Sequence, residues 1–236
     1  MSKNDFLVTI SREKPHDKIL KYLKEATVKG GMSPGDCLLP ERDLAEKIGV
    51  SRASLRETLK ALEITGLVTS IPSQGSFVLP PNIHSLSTFF ELLLSLKPTL
   101  SENIFELRLA LECKAVRLAT KRISPEELAN IKEIIDRMPE SLNRNELGAE
   151  NDYEFHKAII RATHNDLFIF VYDIIETLLK QSFYERRLGV SFIAGVGEKF
   201  IDVHKDVYNA IVEGDEKKAE EKMIEHFKVI DNFLKS

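Results

Sequence analysis

Residues 39–78, LPERDLAEKIGVSRASLRETLKALEITGLVTSIPSQGSFV, constrain the chain more than any other stretch. The pattern predicts a helix over Glu41–Ile48, ended by Gly49, a residue free to take the left-handed conformation of a sharp turn. Val50 then re-enters the core, and Ser51 is placed to N-cap a second helix. On that helix Leu55, Leu59 and Leu62 share one face, while Arg52 and Arg56 sit one turn apart on the other. Gly66 closes it. Leu67–Ser70 and Ser76–Leu79 alternate as two strands about a turn at Pro72-Ser73-Gln74-Gly75. Two helices about a tight turn, followed by a hairpin, make a winged helix-turn-helix, whose second helix enters the DNA major groove. Helix–glycine–helix elements by themselves often only pack; the cap, the wing and two arginines on one solvated face point to nucleic acid.

The run from Glu41 to Leu62 resembles the DNA-binding domain of the GntR family of bacterial transcription regulators. The resemblance implies phosphate contact at Arg42, groove contacts from Arg52 and Arg56, a supporting role for Ser51, and wing contacts at Gln74 and Gly75. Leu39 stands where the family usually has proline. Ile71 and Ser73 take wing places where it usually has arginine and glycine. One recognition helix reads only a few base pairs, so a homodimer on double-stranded DNA with a pseudo-palindromic operator is expected.

A length of 236 residues allows one large or two small domains, and 43% apolar with 30% charged residues is the balance of a globular protein. No apolar run reaches membrane-span length, and the N-terminus lacks a signal-peptide core, so no membrane partner is expected. Cys37 and Cys113 lie far apart without CxxC partners, which argues against disulfides or a cysteine zinc site and places the chain in a reducing cytoplasm. The net charge of −4 divides unevenly: residues 1–80 hold 12 Lys/Arg against 10 Asp/Glu, the remainder 21 against 27. A mildly basic first part and an acidic remainder fit a DNA-binding domain and a domain with another task.

The expected fold is mainly α: a winged helix-turn-helix domain over residues 1–80, a linker at 81–85, and an all-α helical bundle over 86–236. A leading helix, His16–Lys29, would bury Ile19, Leu20, Leu23 and Val28. Pro80-Pro81-Asn82 ends the wing. Leu86–Leu96 is an apolar segment, and Thr99 with Glu102 forms a capping box for a helix to about Lys121. Ser124-Pro125-Glu126-Glu127 starts the next, to near Met138-Pro139. Further helices are expected at about 145–163 and 167–188. A glycine-containing loop at 189–197 precedes a helix to Glu213, and Asp215 starts a last one ending near Leu234.

The bundle's chemistry lies in its histidines. Ile159, Ile160 and Thr163 define an inward stripe that counts back to His156 and Asp152. Phe200, Val207 and Ile211 define another that carries His204. Ala219, Met223, Phe227 and Ile230 define a third, beside His226. Burying one carboxylate and three imidazoles unpaired is costly. A lone inward histidine is usually a hydrogen-bonded core residue, but a shared divalent cation satisfies all four, and this donor set suits zinc or nickel. His16 and His84 have no such setting, and His164 lies off the stripe. Arg108 shares a face with Ile104, Leu111, Ala115 and Leu118. Its fork can grip a carboxylate or pair with Glu112 one turn on.

Asp-x3-His followed by two later helix histidines, together with Glu106-Leu107-Arg108-Leu109-Ala110-Leu111-Glu112, resembles the FadR-like (FCD) subfamily of GntR regulators. The resemblance implies metal ligation by Asp152, His156, His204 and His226, and a small carboxylate effector beside the metal and Arg108. The expectation is an effector-controlled transcription regulator, a repressor, and not an enzyme. The alternative is a metal-dependent enzyme, since a metal with open positions can activate water; no HExxH motif supplies a base.

Overall fold

The computed structural model describes residues 13–80, 86–88, 91–92, 100–142, 144–190 and 196–235. The expected linker core Pro81-Asn82-Ile83, His84, most of Leu86–Leu96 and the Thr99–Glu102 box lie outside them. The chain divides into two compact units, Met1–Leu86 and Ser87–Ser236.

In the first unit, α1 (Pro15–Val28) packs on α3 (Arg52–Ile64) and on α2 (Glu41–Ile48). Its apolar stripe is Ile19, Tyr22 and Leu23, with Ile19 fully buried. Two residues expected in the core are outside it, Leu20 at 45% and Val28 at 78% exposure. At about 100° per residue, Val28 lies half a turn round the helix from Ile19. Gly49 ends α2 at φ 73°, and its N–H reaches the carbonyls of Ala45 and Glu46. Ser51 caps α3 by accepting from the Ser54 N–H at 3.1 Å. Leu44, Leu55, Leu59 and Val68 close the small core.

The wing hairpin is β1 (Val68–Ile71) and β2 (Gly75–Val78), antiparallel, with Val68 opposite Val78 and Ile71 opposite Gly75. Each strand is offset by one residue from the expectation. Ile71 pairs with Gly75, which shortens the turn to Pro72-Ser73-Gln74, closed by Gln74 N–H to Ile71 O at 3.0 Å, with Ser73 at φ 64°. Residues 35–38 add a further rung to β2: Leu38 N–H donates to Ser76 O at 2.7 Å, and Cys37 bridges Phe77. Nothing in the alternation pattern marked that short segment as extended.

The second unit is helical throughout its described residues: α4 (Leu100–Arg122), α5 (Pro125–Arg137), a 3-10 turn (Met138–Ser141), α6 (Asn145–Arg161), α7 (Asp166–Ile174), α8 (Glu176–Val190), α9 (Val196–Val212) and α10 (Glu216–Lys235). Ser124 and Glu127 form both bonds of the expected capping box. Asp215 caps α10 through the N–H groups of Lys217 and Lys218, both at 3.0 Å. The helix expected over 167–188 is instead two, broken at Ile175 without a glycine or proline to announce it. Tertiary contacts hold the break: the Tyr172 hydroxyl donates to Glu112 at 3.1 Å, and the Asp173 carbonyl accepts from Ser87 at 3.2 Å. Both edges of the expected 189–197 loop are helical, since α8 runs to Val190 and α9 begins at Val196. The core gathers Ile131, Tyr153, Phe155, Ile159, Phe183 and Phe227 around α6.

Candidate nucleic-acid interface and metal centre

The first unit presents its arginines at the start of α2 and α3. Arg42, Arg52, Gln74 and Gly75 line one open recess between the two helix starts and the wing. Arg42 is 80% exposed at its side chain and pairs with Asp43 at 3.2 Å. Arg56 projects from the same helix as Arg52, with Nη2 donating to Glu41 Oε2 at 2.7 Å. The Glu41 carboxyl is lowered chiefly by that bond, with burial working weakly against it. Cations gathered beside a helix start and a hairpin can neutralise phosphates along a groove.

The second unit brings Asp152 and His156 from α6, His204 from α9 and His226 from α10 to one point. Their ligand atoms all lie within 4.8 Å of one another, and all four side chains are buried. Hydrogen-bond directions fix what the inward atoms carry. His204 Nδ1 lies 2.6 Å from the Phe200 carbonyl, which can only accept, so a ring with a single proton carries it on Nδ1 and turns a lone pair from Nε2 toward Asp152 Oδ1 at 3.0 Å. His156 Nδ1 lies 2.5 Å from Glu112 Oε2, although off the line of an ideal hydrogen bond. Its Nε2 then faces His226 Nε2 at 3.1 Å and Asp152 Oδ1 at 3.3 Å. Acceptors converging this closely repel unless a proton or a cation lies among them.

A divalent cation fits. Ligand bonds of about 2.1 Å at right angles place neighbouring donors about 3 Å apart, close to the spacing found here. Burial opposes ionisation of Asp152, but the His156 and His204 imidazoles beside it, wherever a proton is shared with the carboxylate, outweigh burial and hold the carboxyl well below its ordinary value. Burial, with His204 and His156 beside it, pushes His226 well below the ordinary imidazole value, so it is neutral and ready to ligate. The Glu112 contact to His156 and the Phe200 carbonyl at His204 are outer groups of the kind that orient ligating imidazoles.

Arg108 is buried at 2% exposure beside this cluster. Its Nε donates to Glu112 Oε1 at 2.9 Å, and its guanidinium lies 3.5 Å from the Phe183 ring centre. The expected ion pair is therefore present, and one carboxylate, Glu112, joins Arg108, His156 and Tyr172. The reading of the sequence had paired Glu112 with Arg108 alone. The i, i+4 placement of an arginine and a glutamate on an inward face was the signal that it served the site too. His164 stands apart at 51% exposure, bonded to Glu127 at 2.9 Å, and His16 is likewise exposed.

A winged helix-turn-helix unit followed by a helical unit with a buried Asp–His cluster able to hold a metal is the build of a ligand-responsive transcription regulator. Residues 15–78 match the bacterial regulatory proteins of the gntR family, and residues 103–229 match the FCD domain. The chain belongs to the gntR family, in its FCD-bearing branch. It is similar to the HTH-type transcriptional regulator LutR of Bacillus subtilis, at 28% identity across 87% of this chain and 94% of that one. The Uxu operon transcriptional regulator of Escherichia coli is 25% identical across 95% and 88%. The putative L-lactate dehydrogenase operon regulatory protein of Escherichia coli is 26% identical across 93% and 84%. Among solved structures, a GntR protein of Streptococcus agalactiae shares the fold, with a TM-score of 0.65 at 19% identity over 93% of this chain and 99% of that one. The family is one of transcription regulators with an effector-binding FCD domain, which sets aside the enzyme alternative. No helix among the described residues is long and apolar enough to cross a membrane.

Proposed function

We propose that the chain is a homodimeric repressor whose grip on a pseudo-palindromic operator is controlled by a small carboxylate bound at a divalent metal, zinc or nickel, in the second unit. The observation that carries this reading is the convergence of ligand atoms from Asp152, His156, His204 and His226 beside the buried Arg108. A bound cation would supply positive charge and open positions for a carboxylate. Arg108, oriented by Glu112, would hold that carboxylate with its remaining donors. A relative named for an L-lactate dehydrogenase operon supports a hydroxy acid among the candidates.

In the first unit, Arg52 and Arg56 read base edges, Arg42 and Ser51 hold phosphate, and Gln74 and Gly75 make the wing's contacts to DNA. Residues 81–85 link this domain, 1–80, to the effector domain, 86–236. An acid that draws α4, α8 and α10 together shifts operator affinity only by its differential affinity for the two states. The test is metal analysis with native mass spectrometry of the purified protein, followed by operator titration with and without chelator and candidate acids. A metal-free protein that binds no acid, with operator affinity indifferent to both, refutes it.

A further inference from the structure

Two arginines in the second unit are placed reciprocally. On α4, Phe105 precedes Arg108 by three residues; on α8, Phe183 precedes Arg186 by three. Each guanidinium stacks on the other helix's ring: Arg108 lies 3.5 Å from the Phe183 centre, and Arg186 lies 3.4 Å from the Phe105 centre. Phe227 of α10 joins the two halves, 5.2 Å from the Phe105 ring and 5.2 Å from the Arg108 guanidinium. The same Phe183 lies 5.2 Å from His156. A continuous aromatic and cationic wall thus runs from the imidazole cluster past Arg108 to Arg186.

The two arginines differ in one respect. Arg108 has Glu112. Two of the Arg186 donors, Nε and Nη1, are buried without a hydrogen-bond partner among the described residues. Burial, with Arg108 near it, pulls the guanidinium down to about 10, while Asp231 and Glu185 raise it from a distance. It stays charged at neutral pH, and buried donors on a cation that lack an acceptor are the arrangement that an anion completes.

We propose that Arg186 is a second anion-recognition residue of the effector site, so that the effector class is a short acid bearing two anionic groups, one held by Arg108 and the metal ligands and the other by Arg186. This rests on the small-acid reading above, and the test separates the two. The zinc-loaded full chain is titrated calorimetrically with acetate against malonate and propionate against succinate, at constant ionic strength. The expected result is dianion binding tighter than that of its monoanion partner by about tenfold or more. Arg186→Met abolishes the preference and leaves monoanion binding within about twofold. Arg186→Lys, which keeps the charge without the fork, retains part of it and covers a poorly folding methionine variant.

Acids that bind in an Arg108-dependent way with no dianion preference overturn this proposal alone. A preference that survives Arg186→Met also overturns it, since chelation by both carboxylates would then be the cause. So does a changed oligomeric state in Arg186→Met with the preference intact, which would make the residue a subunit contact. No binding of any acid overturns the small-acid reading and this inference with it.

Discussion

Arg56 is already engaged before DNA arrives. Its bridge to Glu41 is solvent-exposed, with side chains 57% and 33% accessible, and such bridges contribute little to stability. DNA can therefore take the guanidinium from Glu41 at little cost. Arg52→Ala and Arg56→Ala are each expected to weaken specific operator binding by about 1–3 kcal/mol in anisotropy titrations at matched salt. Glu41→Ala should shift affinity far less; an equal loss would make the bridge, and not the groove, the role of Arg56. At the metal cluster, alanine at His156 or His204 should remove metal, read by elemental analysis. Glu112→Gln should keep the ligands but weaken affinity by about 10–100-fold. Burial lowers His156, but Glu112 and Asp152 overcome it and raise the imidazole above its ordinary value. Without metal it therefore holds its proton to a higher pH than a free imidazole does. Metal must displace that proton, so affinity is full above the raised value and falls as pH drops through it. A flat metal affinity from pH 8 to 5 would place the site elsewhere.

The α5 start was legible at the level of single atoms. Ser124 and Glu127 each accept the other's backbone N–H, at 3.2 and 2.9 Å. Ser124→Ala should cost about 1 kcal/mol and leave metal content unchanged, a split that thermal melts and metal analysis can read together. Legibility followed the same line elsewhere. Gly49, Ser51 and Asp215 announce helix ends through local chemistry, and the inward stripes carrying His156, His204 and His226 follow from helical period alone. The break at Ile175 was not legible, because what accompanies it is distant: Ser87 satisfies the Asp173 carbonyl that a continuous helix would have used itself, and Glu112 holds the Tyr172 hydroxyl. Leu20 and Val28 were misplaced because apolar character was read without checking angular position. Arg186 was missed because it stands in a polar run, Tyr184-Glu185-Arg186-Arg187, that gives no sign of a side chain facing a ring on another helix.

For the molecule as a whole, the mildly basic first unit and the acidic second fit a division between DNA contact and sensing. Light scattering at concentrations that bind operator should give twice the 26.8 kDa chain mass, and a monomer there would contradict the palindromic site. The last helix has a further consequence. Alpha10 packs on α9 and α4 and carries His226, which meets Asp152 and His156 of α6 and His204 of α9. Single helices open locally before a whole domain does, and proteases begin at such openings. A cation held between α10, α9 and α6 would act as a latch on that helix. Limited trypsin digestion should cut within α10 quickly in chelator-treated protein and slowly in the metal-loaded form, turning metal status into a difference in lifetime.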